Sequence, residues 1–349
     1  MNKRRKRKKS KERMIFALFC GLTLICGCLL IGMLFFRSGE EAEDKTDEMS
    51  ALEEMLTEEE KQEAETESET EVIKEAEEEP AEETEKQLEV HFIDIGQGDA
   101  TLVKFGDQEM LIDTGSADPQ ARRSERDILV YLQENGVEKL EYLLLTHGHE
   151  DHMGRACDIL QEIEVEKVIC DFGNQEGYVQ RLQQMLSDME MEVIVPQAGQ
   201  EYRIGDAVVH IVTGRVAQLD EVETETATEK VNNQSIGVKV LYKENSFLLY
   251  GDGEAAYEKY LLESGEDLAA DVLKVPHHGA AVSCCQEILD AVQPEYAVIS
   301  SAKQEDFGFP SGEVLLRMAV GQITTFYTNR QGNVIAISDG EHVSFTTRR

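Results

Sequence analysis

Three histidines and an aspartate stand within six residues, in the run His147-Gly148-His149-Glu150-Asp151-His152. Imidazole nitrogens and carboxylate oxygens are the usual protein donors to zinc and similar divalent ions at catalytic sites. A second pair, His277-His278, stands further along, so five of the chain's 8 histidines fall in two short stretches. Incidental polar loops do not crowd imidazoles in this way. A divalent ion lowers the pKa of its water from 15.7 to about 7, which provides hydroxide at neutral pH. Two ions about 3.5–4 Å apart also stabilise the attacking and leaving oxygens of a phosphoryl transfer. The residue types therefore point to a divalent-metal site of the kind that can activate water.

Such side chains need a frame to bring them together. Leu143-Leu144-Leu145-Thr146 is a short apolar run and reads as a buried strand. The histidine motif then lies on a loop at the strand's end, where alternating side chains converge. His147 and His149 can grip one ion, while Asp151 and His152 point toward a neighbouring position. Alternation and turn signals predict strands at residues 89–93, 101–105, 109–112, 141–145, 167–169, 192–195, 207–212, 235–242, 246–250, 271–275, 296–300 and 323–327. Helical spacing predicts helices at 125–134, 153–163, 177–188 and 253–263, and the polar stretch 215–231 reads as a surface loop. Hairpins and strand–helix alternations occur together. That mixture suits an α/β domain of two mixed sheets packed face to face with helices outside.

The run Thr146 to His152 matches the His-x-His-x-Asp-His signature of the metallo-β-lactamase superfamily. The chain more closely resembles the ComEC-type branch, the hydrolase domain at the end of a competence DNA-uptake protein. The stretches that carry the resemblance are Phe92-Ile-Asp-Ile-Gly-Gln-Gly-Asp-Ala100, Leu111-Ile-Asp-Thr-Gly115, the histidine motif, Asn232-Asn-Gln-Ser235, Tyr250-Gly-Asp252 and Lys274-Val-Pro-His-His-Gly279. They follow the family's order across about residues 89–337.

The resemblance implies an αββα sandwich that holds one or two divalent ions, zinc or manganese. It places His147 and His149 on the first metal and Asp151 and His152 on the second. Asp252 matches the bridging carboxylate, with a plain turn aspartate in Gly251-Asp252-Gly253 as the alternative. His278 is expected as a further ligand of the second metal, and His277 as the group that faces substrate. Asp151 and His277 are thus the catalytic candidates: Asp151 to orient or deprotonate water, His277 to steady developing oxyanion charge or protonate the leaving group. Asp94, Asp99 and Asp113 are candidates for orienting the ligands, with turn roles equally open for Asp99 and Asp113.

Three departures from the pattern stand out. Asn233 takes the place of a further metal-binding histidine, which leaves the first position short of nitrogen donors and favours an oxygen-preferring ion such as Mn²⁺. Phe307-Gly308-Phe309-Pro310 replaces Tyr-Gly-His-Pro, and Ala280 replaces the serine of His-His-Gly-Ser.

Charge divides the 349 residues into three segments. Residues 1–37 carry 10 basic and 1 acidic side chains, residues 38–88 carry 4 and 23, and residues 89–349 carry 20 and 46. Residues 1–13 read as a basic cytoplasmic tail. Residues 14–36 hold no charge and, at 1.5 Å per residue, span roughly 34 Å, enough for a transmembrane helix. A cleaved signal peptide is the competing reading, but its apolar region usually runs only about 7–15 residues. Basic flanks stay inside, so the hydrolase domain, residues 89–349, is expected outside the cell membrane. Residues 37–88, rich in Glu, Thr and Ala, read as an acidic disordered linker. The 7 cysteines form no disulfide framework. A net charge of −36 argues against a nonspecific nucleic-acid coat protein, since such binding rests on Lys and Arg facing phosphates. The expected substrate is a phosphodiester, with DNA possible but disfavoured by the acidic surface. A hydrolase of another ester, amide or lactam, or a metal-binding module without catalysis, are the alternatives.

Overall fold

A computed structural model describes residues 86–118, 126–171, 173, 177–221, 226–302 and 308–349. The expected basic tail, the 14–36 helix and all but the end of the linker lie outside the described residues. Among these, no helix is long and apolar enough to cross a membrane. Glu82–Arg349 forms one compact unit.

Its strands, in chain order, are β1 (Leu88–Phe92), β2 (Thr101–Phe105), β3 (Gln108–Ile112), β4 (Lys139–Leu144), β5 (Glu164–Ile169), β6 (Glu192–Ile194), β7 (Glu201–Ile204) and β8 (Ala207–Thr213). They continue with β9 (Gly237–Tyr242), β10 (Asn245–Leu249), β11 (Val272–Lys274), β12 (Tyr296–Ile299), β13 (Thr324–Tyr327), β14 (Asn333–Ser338) and β15 (Val343–Arg348). The helices are α1 (Ile128–Glu134), α2 (Glu150–Met153), α3 (Ala156–Glu162), α4 (Tyr178–Asp188), α5 (Ala227–Asn232), α6 (Ala255–Glu263), α7 (Gln286–Val292), α8 (Gly312–Val320) and α9 (Thr328–Gln331).

Two mixed sheets result. One runs β15-β14-β1-β2-β3-β4-β5-β6 and the other β13-β12-β11-β10-β9-β8-β7. Alternation along each strand sorts the side chains, because successive residues point to opposite faces. Val90, Phe92, Val103 and Met110 of the first sheet meet Val209, Val238, Val240 and Phe247 of the second in a fully buried inter-sheet core. The opposite faces carry Leu102, Leu111 and Leu143, which pack under Ile128, Leu132, Ile159 and Leu182 of the first helical layer. Leu248, Leu273 and Ile299 pack under Tyr257, Leu261, Ile288 and Met318 of the second. The expected α–β–β–α layering is the one observed.

Several elements differ from the sequence reading. The helix expected over 153–163 is two helices, α2 and α3, so Asp151 and His152 sit on a short helix rather than a loop. Gly154 ends α2, where a Cβ would stand 2.4 Å from both the Ala117 nitrogen and the Glu150 carbonyl oxygen. The stretch 215–231 is not all loop, since α5 starts there behind a capping box formed by Thr226 and Glu229. Strands β7, β14 and β15 and helices α7 to α9 were not anticipated.

Candidate metal centre

The site forms where parallel strands of both sheets end. β3 and β4 pair in parallel in one sheet, and β10, β11 and β12 in the other. Asp113 directly follows β3, and His147 comes three residues after the end of β4. Asp252, His277 and Ser300 lie within three residues of the ends of β10, β11 and β12. A backbone bond clasps the two sheets there, Ile236 N–H donating to the Thr146 carbonyl at 3.0 Å, and within the second sheet His277 N–H donates to the Gly251 carbonyl at 3.1 Å.

Asp151, His152, Asp252 and His278 each offer one donor atom, and these atoms all lie within 4.8 Å of one another. His152 Nε2 is 3.1 Å from Asp252 Oδ1. His278 Nε2 is 3.2 Å from Asp151 Oδ2 and 3.5 Å from Asp252 Oδ2. His147 and His149 form an adjoining pair, with Nε2 of the first 3.2 Å from Nδ1 of the second. Four of the six side chains expected as ligands thus meet at one place, and the His147 ring adjoins them, its centroid 4.1 Å from that of His152. His277 lies beside them, its Nε2 3.9 Å from Asp252 Oδ2, and the Phe309 ring packs 5.8 Å from its ring.

The surrounding bonds fix which nitrogen faces inward. A carbonyl oxygen can only accept, so His278 Nδ1, 3.0 Å from the Ser300 carbonyl, carries the proton and Nε2 is the free donor to an ion. His152 Nδ1 likewise donates to Asp113 Oδ2 at 2.8 Å. Asp113 also accepts the Thr146 N–H at 2.8 Å and the Thr146 hydroxyl at 2.7 Å, so it orients a ligand instead of making a turn alone. Asp99 accepts from the buried Lys274 at 2.8 Å and stands 3.7 Å from His278 Nδ1. Asp94 accepts from the Gly96 amide and from Arg126 just beyond the end of β1.

The electrostatics suit a cation. Burial works against charge on His152, yet the Asp252 and Asp113 carboxylates outweigh it and hold that imidazole well above its ordinary pKa. Burial works against the Asp252 carboxylate too, and His152 and His278 outweigh it, holding Asp252 well below the usual range. His147 is held low by burial and by His152, and His149 by burial.

A resident divalent ion fits these residues. At metal–nitrogen distances of about 2.0–2.1 Å, donors to one tetrahedral ion stand about 3.3 Å apart, close to the spacings above. His152 Nε2 and Asp252 Oδ1 are buried and face one another at 3.1 Å.

The structure also revises the place of the missing histidine. Asn233 Oδ1 accepts the Glu254 N–H at 2.9 Å and is committed there. Its neighbour Asn232 is the residue whose side chain lies against His149. Spacing alone could not separate two adjacent asparagines.

The family model described as metallo-beta-lactamase superfamily matches residues 93–303. "ComE operon protein 3" of Bacillus subtilis (strain 168) is 29% identical over 268 residues, covering 70% of this chain and 32% of that protein. "Recombination protein 2" of Haemophilus influenzae is 30% identical over 230 residues, covering 66% and 26%. This chain thus spans about a third or less of the length of these curated relatives. A solved structure, the metallo-beta-lactamase fold protein YhfI from Bacillus subtilis, aligns with TM-score 0.48 at 12% identity over 72% of this chain and 100% of that one. The family model covers well over half of the chain, which therefore belongs to the metallo-beta-lactamase superfamily, and within it the likeness is to the ComEC-type competence proteins.

Proposed function

We propose that this chain is a membrane-anchored, extracytoplasmic, metal-dependent hydrolase that cleaves phosphodiesters. The observation that carries the reading is the quartet of Asp151 with the buried His152, Asp252 and His278, beside the pair His147 and His149. The uncharged stretch 14–36 behind a basic tail supports the anchor, and the competence-type relatives support a phosphodiester substrate.

His147, His149, Asp151, His152, Asp252 and His278 would hold one or two divalent ions, which supply Lewis acidity and lower the pKa of water. The rest falls to the chain's own groups. Asp113 and the Ser300 carbonyl keep His152 and His278 in the tautomer whose Nε2 faces inward. Asp151 is the most exposed member of the quartet, at 28%, so it orients and deprotonates the attacking water. His277, 18% exposed at the rim, faces the substrate and steadies charge developing on its oxygens. Phe309 packs against His277 and shields it from bulk water. The same ring makes that wall of the site apolar, which favours a second reading: hydrolysis of a less charged ester, amide or lactam.

The test is turnover by the full chain in detergent, with Mn²⁺ or Zn²⁺, on bis-p-nitrophenyl phosphate and plasmid DNA. Cleavage that Asp151→Ala abolishes supports the reading. Full metal occupancy without turnover of any diester overturns it, and turnover of a lactam or carboxylic ester alone selects the second reading. In intact cells, a hydrolase domain shielded from added protease would contradict the orientation.

A further inference from the structure

A cavity of about 310 Å³ opens between α2, α3 and α4, and none of the six expected metal ligands lines it. That volume is at the small end of ligand pockets and suits one ring system, not a duplex. Ala117, Met153, Gly154 and Cys157 give it apolar walls, and Tyr178 and Arg181 of α4 complete it. These two stand three residues apart on one helix, so they are neighbours on one face. Tyr178 is 45% exposed, and Arg181 is exposed too. Among the described residues no carboxylate pairs with the Arg181 guanidinium: Asp158, which also lines the cavity, is held by Arg155 Nε at 2.6 Å. Burial raises the Cys157 thiol and Arg181 pulls against that rise, which puts the guanidinium close to the apolar wall.

Each group suits one part of a nucleotide. The arginine fork matches phosphate oxygens two at a time. An exposed tyrosine ring offers its face to a base, and such stacking tolerates any base. The sulfurs of Met153 and Cys157 pack well against aromatic rings. Asp158 is acceptor-only, so it suits a ring with N–H donors and opposes a second anion. The wall is also tied to α2, which carries Asp151 and His152. Gly115 pairs with Met153, and the Ser116 hydroxyl donates to Glu150 Oε1 at 2.9 Å. A Cβ on Gly154 would stand 2.4 Å from the Ala117 nitrogen, so helix and strap are in close contact there.

We propose that this cavity binds a nucleotide, with Tyr178 stacked on the base and Arg181 holding the phosphate. The inference goes beyond the metal-dependent reading, because the binding itself uses none of the metal ligands. The nucleotide has two possible sources, the flank of a substrate strand or a free effector, and both present the same base and phosphate.

The experiment titrates the full chain in detergent with AMP by calorimetry, at fixed Mn²⁺ and again with chelator. AMP is expected to bind in both conditions, and adenosine and inorganic phosphate at least roughly tenfold more weakly, since each lacks one of the two anchors. Arg181→Ala and Tyr178→Ala should each weaken AMP by roughly fivefold or more, and Arg181→Lys by less than Arg181→Ala. Both positions are exposed, so the variants should melt with the wild type. A substrate flank is the source if Arg181→Ala raises KM for the p-nitrophenyl ester of thymidine 5′-phosphate and not for methyl p-nitrophenyl phosphate. A free effector is the source if AMP changes turnover of methyl p-nitrophenyl phosphate in the wild type and not in Arg181→Ala. No binding of AMP by the wild type overturns the proposal, as does wild-type affinity in Arg181→Ala or binding that chelator abolishes. Turnover of the methyl ester is read separately, so failure of this cavity and failure of the hydrolase reading are distinguishable.

Discussion

Asp113 shows how much of the centre depends on a residue that does not face the ion. Both its oxygens are engaged, one by the Thr146 amide and the other by the Thr146 hydroxyl and His152 Nδ1, in a fully buried setting. Loss of such a supporting acceptor typically costs about 10–100-fold in metal affinity. Asp113→Ala is therefore expected to weaken divalent-ion binding by about that factor, and Asp113→Asn by less, because an amide oxygen still accepts from one donor. Calorimetric titration of the full chain checks this; an affinity unchanged in Asp113→Ala would reduce Asp113 to a turn residue. The soluble-domain cysteines offer a second test at this scale. Burial pushes the Cys170 thiol up to about 12, and burial with the neighbouring Glu258 carboxylate pushes Cys285 up to about 12. Cys157 and Cys284 are raised as well, both chiefly by burial. The thiolate is the reactive form and an ordinary thiol has pKa about 8.5, so alkylation at pH 8 is expected to run about a thousandfold slower than for a free thiol. Each unit of rising pH should speed it about tenfold until the raised value is reached. Peptide mass spectrometry after iodoacetamide treatment of the native protein reads this directly. Rapid labelling of Cys285 at pH 8 would show a thiolate-stabilising environment that the fold does not provide.

At the scale of elements, the loop between β1 and β2 sets where α2 lies. Gly98 has φ +124°, and a Cβ on it would stand 2.1 Å from the Asp151 carbonyl oxygen, while the Asp99 N–H donates to that same oxygen at 3.1 Å. Gly98→Ala must therefore strain the loop or push α2 away, and α2 carries Asp151 and His152. The expected outcome is a folded protein with reduced metal content, read by mass spectrometry beside a circular-dichroism melt; wild-type metal content would show that α2 is placed by other contacts. This coupling also explains what was legible in the sequence. The histidine motif was readable because its donors are contiguous, and Leu143-Leu144-Leu145 marks the strand that presents them. Asp252 and His278 were readable only through their motifs, since 100 residues or more separate them from His152 and periodicity says nothing of such distances. Helix α5 was hidden in a Thr- and Glu-rich stretch with no apolar stripe, and its start is signalled only by the Thr226–Glu229 pair. With α5 read as loop, Asn232 and Asn233 could not be told apart. β14 and β15 complete the first sheet beside β1; β15 is mostly exposed and carries little apolar signal, whereas β14 holds the apolar run Val334-Ile335-Ala336-Ile337, a strand signal that the sequence reading passed over.

Charge governs the whole molecule. Residues 89–349 carry a net −26 and residues 38–88 a net −19, so a polyanionic substrate approaches against a long-range repulsive field. Divalent ions held at the candidate centre would oppose that field only locally, because their positive charge would act within the site and not along the surface. Proteins that hold nucleic acid by Lys and Arg lose affinity steeply as salt rises, through counterion release. Here the opposite sign is expected. Added salt shortens the screening length from about 30 Å at 0.01 M to about 10 Å at 0.1 M, which weakens repulsion more than it weakens the short-range contacts at the centre. The kcat/KM for plasmid DNA should therefore rise between those two salt concentrations. For bis-p-nitrophenyl phosphate, a single small anion, it should change much less. Steady-state kinetics of the full chain at fixed Mn²⁺ across that range makes the comparison. A steep fall for plasmid DNA would mean that a basic track contacts the backbone after all, and the acidic composition would no longer count against DNA as the substrate.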